Sequence, residues 1–399
     1  MRRVSRIRWV RRSGTMVGSA RVWKPRLVFW AGALAIGVTS ALFAWMADQA
    51  QAAFATLATR GRFWPLVVTP LGFVLCAWLA ARFFPGSEGS GIPQAIAARH
   101  LRDDEDRTRF LSLKMVLGKI VLTVVGLGCG ASIGREGPTV QVGASLMLQA
   151  ARIGGMAHAR GLILAGSAAG IAAAFNAPLA GIVFAIEEMG RGYQARTNGL
   201  VLSAVVIAGL ASLAILGSYT YFGVSDATPA TLRDWLLVPA CGIVGGALGA
   251  GFSSSMLALT RRARRWRGTA PLARLLAIAG ACGLVVAAVG VATGGLTFGT
   301  GYVQAKGAIE GTPLPFGFFA GKFVASLVSA ISGIPGGLFA PALAVGAGLG
   351  STLAVALGAN VGLGTTLGMA GYFSGVVQAP MTAFVIILEM TATTTTSSR

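Results

Sequence analysis

The sequence predicts an all-α, polytopic membrane protein built from two related halves with broken helices, and three observations carry that prediction. First, 54% of its 399 residues are hydrophobic and 12% are charged, with a mean hydropathy of +0.71, which is more apolar surface than one soluble core of this length can bury. Second, several nearly uncharged windows reach about 20 residues, the length a helix needs at 1.5 Å per residue to cross a hydrocarbon core of about 30 Å. Third, the chain repeats itself, and Gly- and Pro-rich breaks fall at matching places in both copies.

The predicted spans, in order, are 27–46, 63–79, 200–216, 236–259, 275–291 and 316–331. Basic residues lie outside them. Arg2, Arg3, Arg6, Arg8, Arg11, Arg12, Arg21, Lys24 and Arg26 precede the first span without an intervening acid, and Arg261, Arg262, Arg264, Arg265 and Arg267 form a second cluster. Both clusters are expected on the cytoplasmic side by the positive-inside rule, which leaves 217–234, with Arg233 as its one base, outside. The formal net charge of +20 therefore belongs to loops flanking apolar spans and does not predict nucleic-acid binding. The first 26 residues are too long and too polar for a signal-peptide n-region, so an uncleaved chain in the cytoplasmic membrane with its N-terminus inside is expected. The expected organisation is a basic segment over 1–26, a first membrane repeat over 27–216, an external connection over 217–234, a second repeat over 235–391 and a low-complexity tail over 392–399.

The repeat is legible residue by residue. Gly134-Arg-Glu-Gly-Pro138 lines up with Gly337-Leu-Phe-Ala-Pro341, and Gly143 with Gly346. Ala177-Pro-Leu-Ala-Gly-Ile-Val-Phe-Ala-Ile-Glu187 lines up with Ala379-Pro-Met-Thr-Ala-Phe-Val-Ile-Ile-Leu-Glu389. Duplicated halves with broken helices place the binding site where the matched Gly/Pro segments converge. The 57 glycines suit that design, because Gly permits close helix approach and lets helices start at membrane depth.

Three segments put Gly on both sides of a helix start: Gly89-Ser-Gly-Ile-Pro93, Gly134-Arg-Glu-Gly-Pro138 and Gly336-Gly-Leu-Phe-Ala-Pro341. Each sets Pro in the first turn, where its missing N–H costs least. Backbone N–H groups and a positive dipole end then form an anion site without a fixed cation, suited to holding an anion weakly enough to release it. Ser90 adds a hydroxyl donor. Glu136 places a carboxylate within this apolar region, where it can compete with an anion for the same amides. The four cysteines, Cys76, Cys129, Cys241 and Cys282, lack metal-ligand spacing and are expected as buried small hydrophobes. His100 and His158 stand alone and are expected in packing or interfacial roles. No nucleophile–base pair, P-loop or metal cluster is legible, so neither an enzyme nor a cofactor or metal is expected.

Together with Ala174-Phe-Asn-Ala-Pro-Leu-Ala-Gly-Ile-Val-Phe-Ala-Ile-Glu-Glu188, these motifs resemble the CLC family of chloride channels and proton-coupled chloride exchangers over nearly the whole chain, from about residue 27 to Met390. The resemblance implies inverted repeats and a homodimer in the lipid bilayer, each subunit holding its own pore. It implies chloride binding by Ser90 and the backbone amides of Leu338 and Phe339, and a gate at Glu136 over an outer site near the amides of Arg135 and Gly137. Glu188 matches the internal glutamate with which the family's exchangers relay protons, and Lys119 a lysine whose charge attracts anions. Ser90 favours chloride over other anions, and Glu188 favours exchange with protons over a passive channel. Family members continue past the helix at Glu389-Met390-Thr391 with two more helices, the last supplying a tyrosine to the central site; Tyr372 lies in a different segment. The tail Ala392-Thr-Thr-Thr-Thr-Ser-Ser-Arg399 is expected to be a frame-shifted reading of the start of those helices. A transport-dead, truncated membrane fragment is therefore the competing expectation.

Overall fold

The computed structural model describes residues 20–156, 159–190, 195–217, 222–223, 227–268 and 270–391. The basic residues Arg2, Arg3, Arg6, Arg8, Arg11 and Arg12, together with His158 and the tail 392–399, lie outside the described residues.

Two long helices open the first half: α1 (Ala20–Arg60) and α2 (Pro65–Phe83), the second begun by a proline at its first position. Short pieces follow, α3 (Ile92–His100) and α4 (Asp104–Phe110), and then α5 (Leu113–Gly128), whose N-cap Ser112 accepts a hydrogen bond from the Met115 N–H. The interior helices of this half are α6 (Glu136–Gly154), α7 (Ala159–Phe175) and α8 (Pro178–Phe184). A π-helical turn over Ala185–Gly190 extends α8, and α9 (Ala195–Leu216) closes the half.

The second half repeats the order. Helix α10 (Leu232–Arg267) starts at a capping box between Thr231 and Asp234. It leads through α11 (Pro271–Ala292), the short α12 (Tyr302–Ile309), α13 (Phe318–Ile331), α14 (Phe339–Leu357) and α15 (Val361–Val377) to α16 (Pro380–Met390).

Among the described residues, seven helical stretches are long and apolar enough to span a bilayer. They include Asp104–Gly128 and Phe339–Leu357, which the hydropathy windows did not single out. Phe339–Leu357 is rich in Ala and Gly and faces protein instead of lipid, so its signal is muted. The window 316–331 departs the other way. Its helix has 14 residues, about 21 Å at 1.5 Å per residue and short of a full crossing, and it carries the fully buried Lys322. The arginines of 261–267, expected between spans, are the last turns of the 36-residue α10.

Helices cross at glycines that match between the halves. Where α6 meets α7, a Cβ on either Gly143 or Gly166 would overlap the other's carbonyl oxygen. Where α14 meets α15, a Cβ on Gly346 would come 2.7 Å from the Gly368 oxygen, and one on Gly368 would overlap the Gly346 oxygen. Such approach replaces side-chain interdigitation with backbone contact, the packing mode that favours small residues between membrane helices.

The halves also meet through reciprocal contacts. Gly134 and Gly337, equivalent in the repeat, form an antiparallel bridge in which each N–H donates to the other's carbonyl at 2.7 Å. Glu389 accepts from the Leu179 and Ala180 amides at the start of α8, at 3.0 and 2.7 Å. Glu187 accepts from the Met381 and Thr382 amides at the start of α16, at 3.1 and 2.6 Å, and from the Thr382 hydroxyl. A two-fold axis relating the halves generates this pattern of mutual exchange.

Candidate functional site

The three Gly-flanked helix starts converge. Gly91 caps α3 at φ 95°, a left-handed conformation that glycine adopts without strain, and turns the chain directly after Ser90. A Cβ on Gly137 would lie 2.9 Å from the Ser90 carbonyl oxygen and 3.3 Å from the Gly337 Cα. One on Gly337 would lie 2.9 Å from Pro138 and 3.0 Å from the Gly137 nitrogen. The sequence motifs around Ser90, Gly137 and Leu338 are therefore in mutual contact, with a glycine at each point of approach. Arg135 and Leu338 occupy the N-cap positions of α6 and α14, so the N–H groups of the first turns that follow have no acceptor within their own helix.

Glu136 is the first residue of α6 and has no exposed surface. A Cβ added to Gly134 would collide with the Glu136 Oε2 and would also reach Ala340 and Pro341 of α14 at 3.2 Å. The carboxylate thus lies between the starts of α6 and α14. Arg135 turns the other way: its guanidinium, 5% exposed, donates to the Ala44 carbonyl at 2.8 Å and pairs with Asp48 at 2.9 Å. Its expected contribution through a backbone amide is compatible with that side-chain anchor on α1.

Phe339 sits in an aromatic enclosure, stacked on Phe175 at 6.0 Å and edge-on to Phe184 and Phe373 at 6.5 and 4.9 Å. Phe184 ends α8, and the π-helical turn that follows carries Glu187 and Glu188. A π turn shifts the register of side chains along a helix and recurs at functional positions. On this turn Glu187 caps α16, and Glu188, half-buried, follows it about one helical turn after Phe184. The sequence marked Glu187 only as the repeat partner of Glu389; reciprocal capping gives it defined partners. Replacing Glu187 and Glu389 together with alanine is expected to cost about 1 kcal/mol at each cap, read as a lower unfolding temperature in detergent. Equal stability of the double variant would show the caps to be energetically idle.

Lys119 is fully buried, and its ammonium donates to the carbonyls of Ser87 and Gly89 at 2.5 and 2.9 Å, bracing the loop that presents Ser90. Its counterpart escaped sequence reasoning. Lys322, equally buried, donates to the carbonyls of Thr297 and Gly299 at 3.0 and 2.6 Å. Both lysines stand at the same distance before their repeat-matched glycines, Gly134 and Gly337, so extending the repeat upstream would have found the second. Tyr372, buried in α15, packs against Phe252 and Phe323. The four cysteines are free thiols, and no metal-binding group of His, Cys, Asp or Glu occurs among the described residues.

Comparison with known proteins agrees with this architecture. The family model described as voltage gated chloride channel matches residues 71–397. The H(+)/Cl(-) exchange transporter ClcA of Yersinia pestis bv. Antiqua (strain Angola) is 33% identical over 379 residues, covering 87% of this chain and 75% of the relative. The transporter of the same name from Salmonella agona (strain SL483) is 34% identical over 352 residues, covering 81% and 71%. Among solved structures, a slow cyanobacterial Cl-/H+ antiporter superposes with a TM-score of 0.78 at 25% identity, over 93% of this chain and 90% of the other. A CLC-type fluoride/proton antiporter superposes at 0.77 and 22% identity, over 94% and 92%, a likeness of fold.

Proposed function

The chain belongs to the voltage gated chloride channel family, and from that membership we propose that it exchanges chloride for protons across the membrane with Glu188 as the inner proton-transfer group. Transport of chloride coupled to protons agrees with the similar exchange transporters and antiporter. The observation that carries the assignment of Glu188 is its place on the π turn beside the Phe184–Phe339 contact, with Glu187 drawn off to cap α16.

In this mechanism chloride is held by the Ser90 hydroxyl and the amides of Leu338 and Phe339, donors strong enough to replace part of its hydration shell and too weak to trap it. The Glu136 carboxylate competes for the outer site at the amides of Arg135 and Gly137 and vacates it on protonation. The buried charge of Lys119 raises the potential for anions along the path. The protein sits in the cytoplasmic membrane with its N-terminus inside, as a homodimer in lipid. The basic turns at the end of α10 support that orientation.

The test is reconstitution of the chain in liposomes under a set potential, recording chloride efflux and proton uptake together. The unaltered chain is expected to move both. Glu188→Gln is expected to keep chloride flux while proton movement falls to background. Proton movement that survives this substitution would remove Glu188 from the role, and chloride flux without protons in the unaltered chain would make it a passive channel.

A further inference from the structure

A cavity of about 1170 Å³ opens beside α1, bounded by residues that include Asp48, Gln51, Arg62, Arg135, Thr300 and Gly301. Its charged lining is two guanidinium groups against one carboxylate, and that carboxylate is already paired with Arg135, so the space favours an anion. On its wall the chain rises into α12 through Gly299-Thr-Gly301, with Gly301 capping the helix at φ 79°.

This segment is the second half's version of Gly89-Ser-Gly91. The lysine contacts establish the correspondence: Lys119 grips the carbonyls of Ser87 and Gly89, and Lys322 those of Thr297 and Gly299. Thr300 therefore stands where Ser90 stands, each followed by a left-handed glycine at a helix start. Thr300 already holds an oxygen. The Gln51 Oε1 accepts from the Thr300 N–H at 2.9 Å and from its hydroxyl at 3.0 Å. The Gln51 amide nitrogen turns back to the Ala47 carbonyl, which directs the oxygen outward from α1. Gly299 makes room for it, since a Cβ there would come 2.6 Å from Oε1.

We propose that Thr300 and the start of α12 form an outer chloride station on the cavity wall, and that Gln51 is its tethered, neutral competitor, displaced as chloride moves toward Glu136. The proposal rests on the assignment of Ser90 to chloride binding, because Thr300 is read as its equivalent. An uncharged acceptor holds two donors with ordinary hydrogen bonds, whereas a chloride ion makes charge-assisted ones of about twice the strength. Exchange at this station thus favours the ion without fixing it.

Two variants test this, one freeing the station and one filling it. Gln51→Ala is expected to lower the external chloride concentration giving half-maximal uptake in liposomes by several-fold. Gln51→Glu, which has the same shape and a charge, is expected to raise it roughly tenfold through the stronger hold of a carboxylate. Crystals of Gln51→Ala soaked in bromide are expected to show anomalous density within hydrogen-bond distance of the Thr300 nitrogen. Bromide beside Ser90 and Phe339 but not at Thr300 would overturn the outer station and leave chloride transport standing, whereas bromide at neither place would overturn both. Bromide at Thr300 with unchanged chloride dependence in both variants would mark an adventitious ion only and also overturn the proposal. Should Gln51→Ala fail to give a monodisperse protein, Gln51→Glu decides through its chloride dependence.

Discussion

Gly368→Leu is expected to leave no monodisperse, transport-competent protein. The Gly368 Cα faces the Gly346 carbonyl across the α14–α15 crossing, and Gly346 faces the Gly368 carbonyl at 2.7 Å from where its own Cβ would be. Because each glycine meets backbone, no side-chain rotation relieves a clash, and one helix must leave the other. Overpacking a core costs about 1–3 kcal/mol where side chains can adjust; here the cost is on the order of the upper end or beyond, against a total stability of about 5–15 kcal/mol. Helix α14 carries Phe339 at its first turn, so the displacement also disperses the amides proposed to hold chloride. Gly251→Leu is the control. Gly251 lies in α10 with open space where its Cβ would be, and leucine is the better helix former, so size-exclusion profile and flux are expected to stay as in the unaltered chain. A well-behaved Gly368→Leu protein would show that the crossing tolerates separation.

Glu136→Gln is expected to abolish proton movement in the same liposome assay while chloride continues to flow. The substitution preserves shape and removes the charge. A buried carboxylate between two helix N-termini has two favourable states, an anion hydrogen-bonded to those amides or a neutral acid that has left them. In the proposed mechanism, alternation between these states couples a proton to the exchange of an anion. A carboxamide has only the neutral state, so coupling is lost in full instead of being reduced in proportion to binding. Proton uptake at an unaltered ratio to chloride would remove Glu136 from the coupling step.

Much of this arrangement was legible before the fold. The match of Gly134 to Gly337 identified two residues that are hydrogen-bonded to each other, since duplicated helix starts meet at an axis. Lys119 was picked out through its match to a lysine of the resembled family, and it is buried against the Ser90 loop. Lys322 did not stand out, because hydropathy averaged over 316–331 absorbs a single lysine. Glu187 and Glu389 were matched as repeat partners, but spacing along a chain does not say whose helix start a carboxylate reaches. The π turn that separates Glu187 from Glu188 has no periodic signature. The Gln51–Thr300 contact joins segments far apart in sequence, by a residue type that is ordinary on any helix.

The reciprocal bonds across the axis have one more consequence. Gly134 with Gly337, and Glu187 and Glu389 with each other's helix starts, are self-complementary in the sense of an isologous dimer, in which the same patch serves on both partners. The two halves are thus related as subunits are, with the covalent connection from α9 to α10 replacing mass action. Two separately expressed half-chains would present matching surfaces to one another. The linker raises their effective concentration and leaves each half free to diverge where the axis does not require likeness, as Ser90 and Thr300 have done.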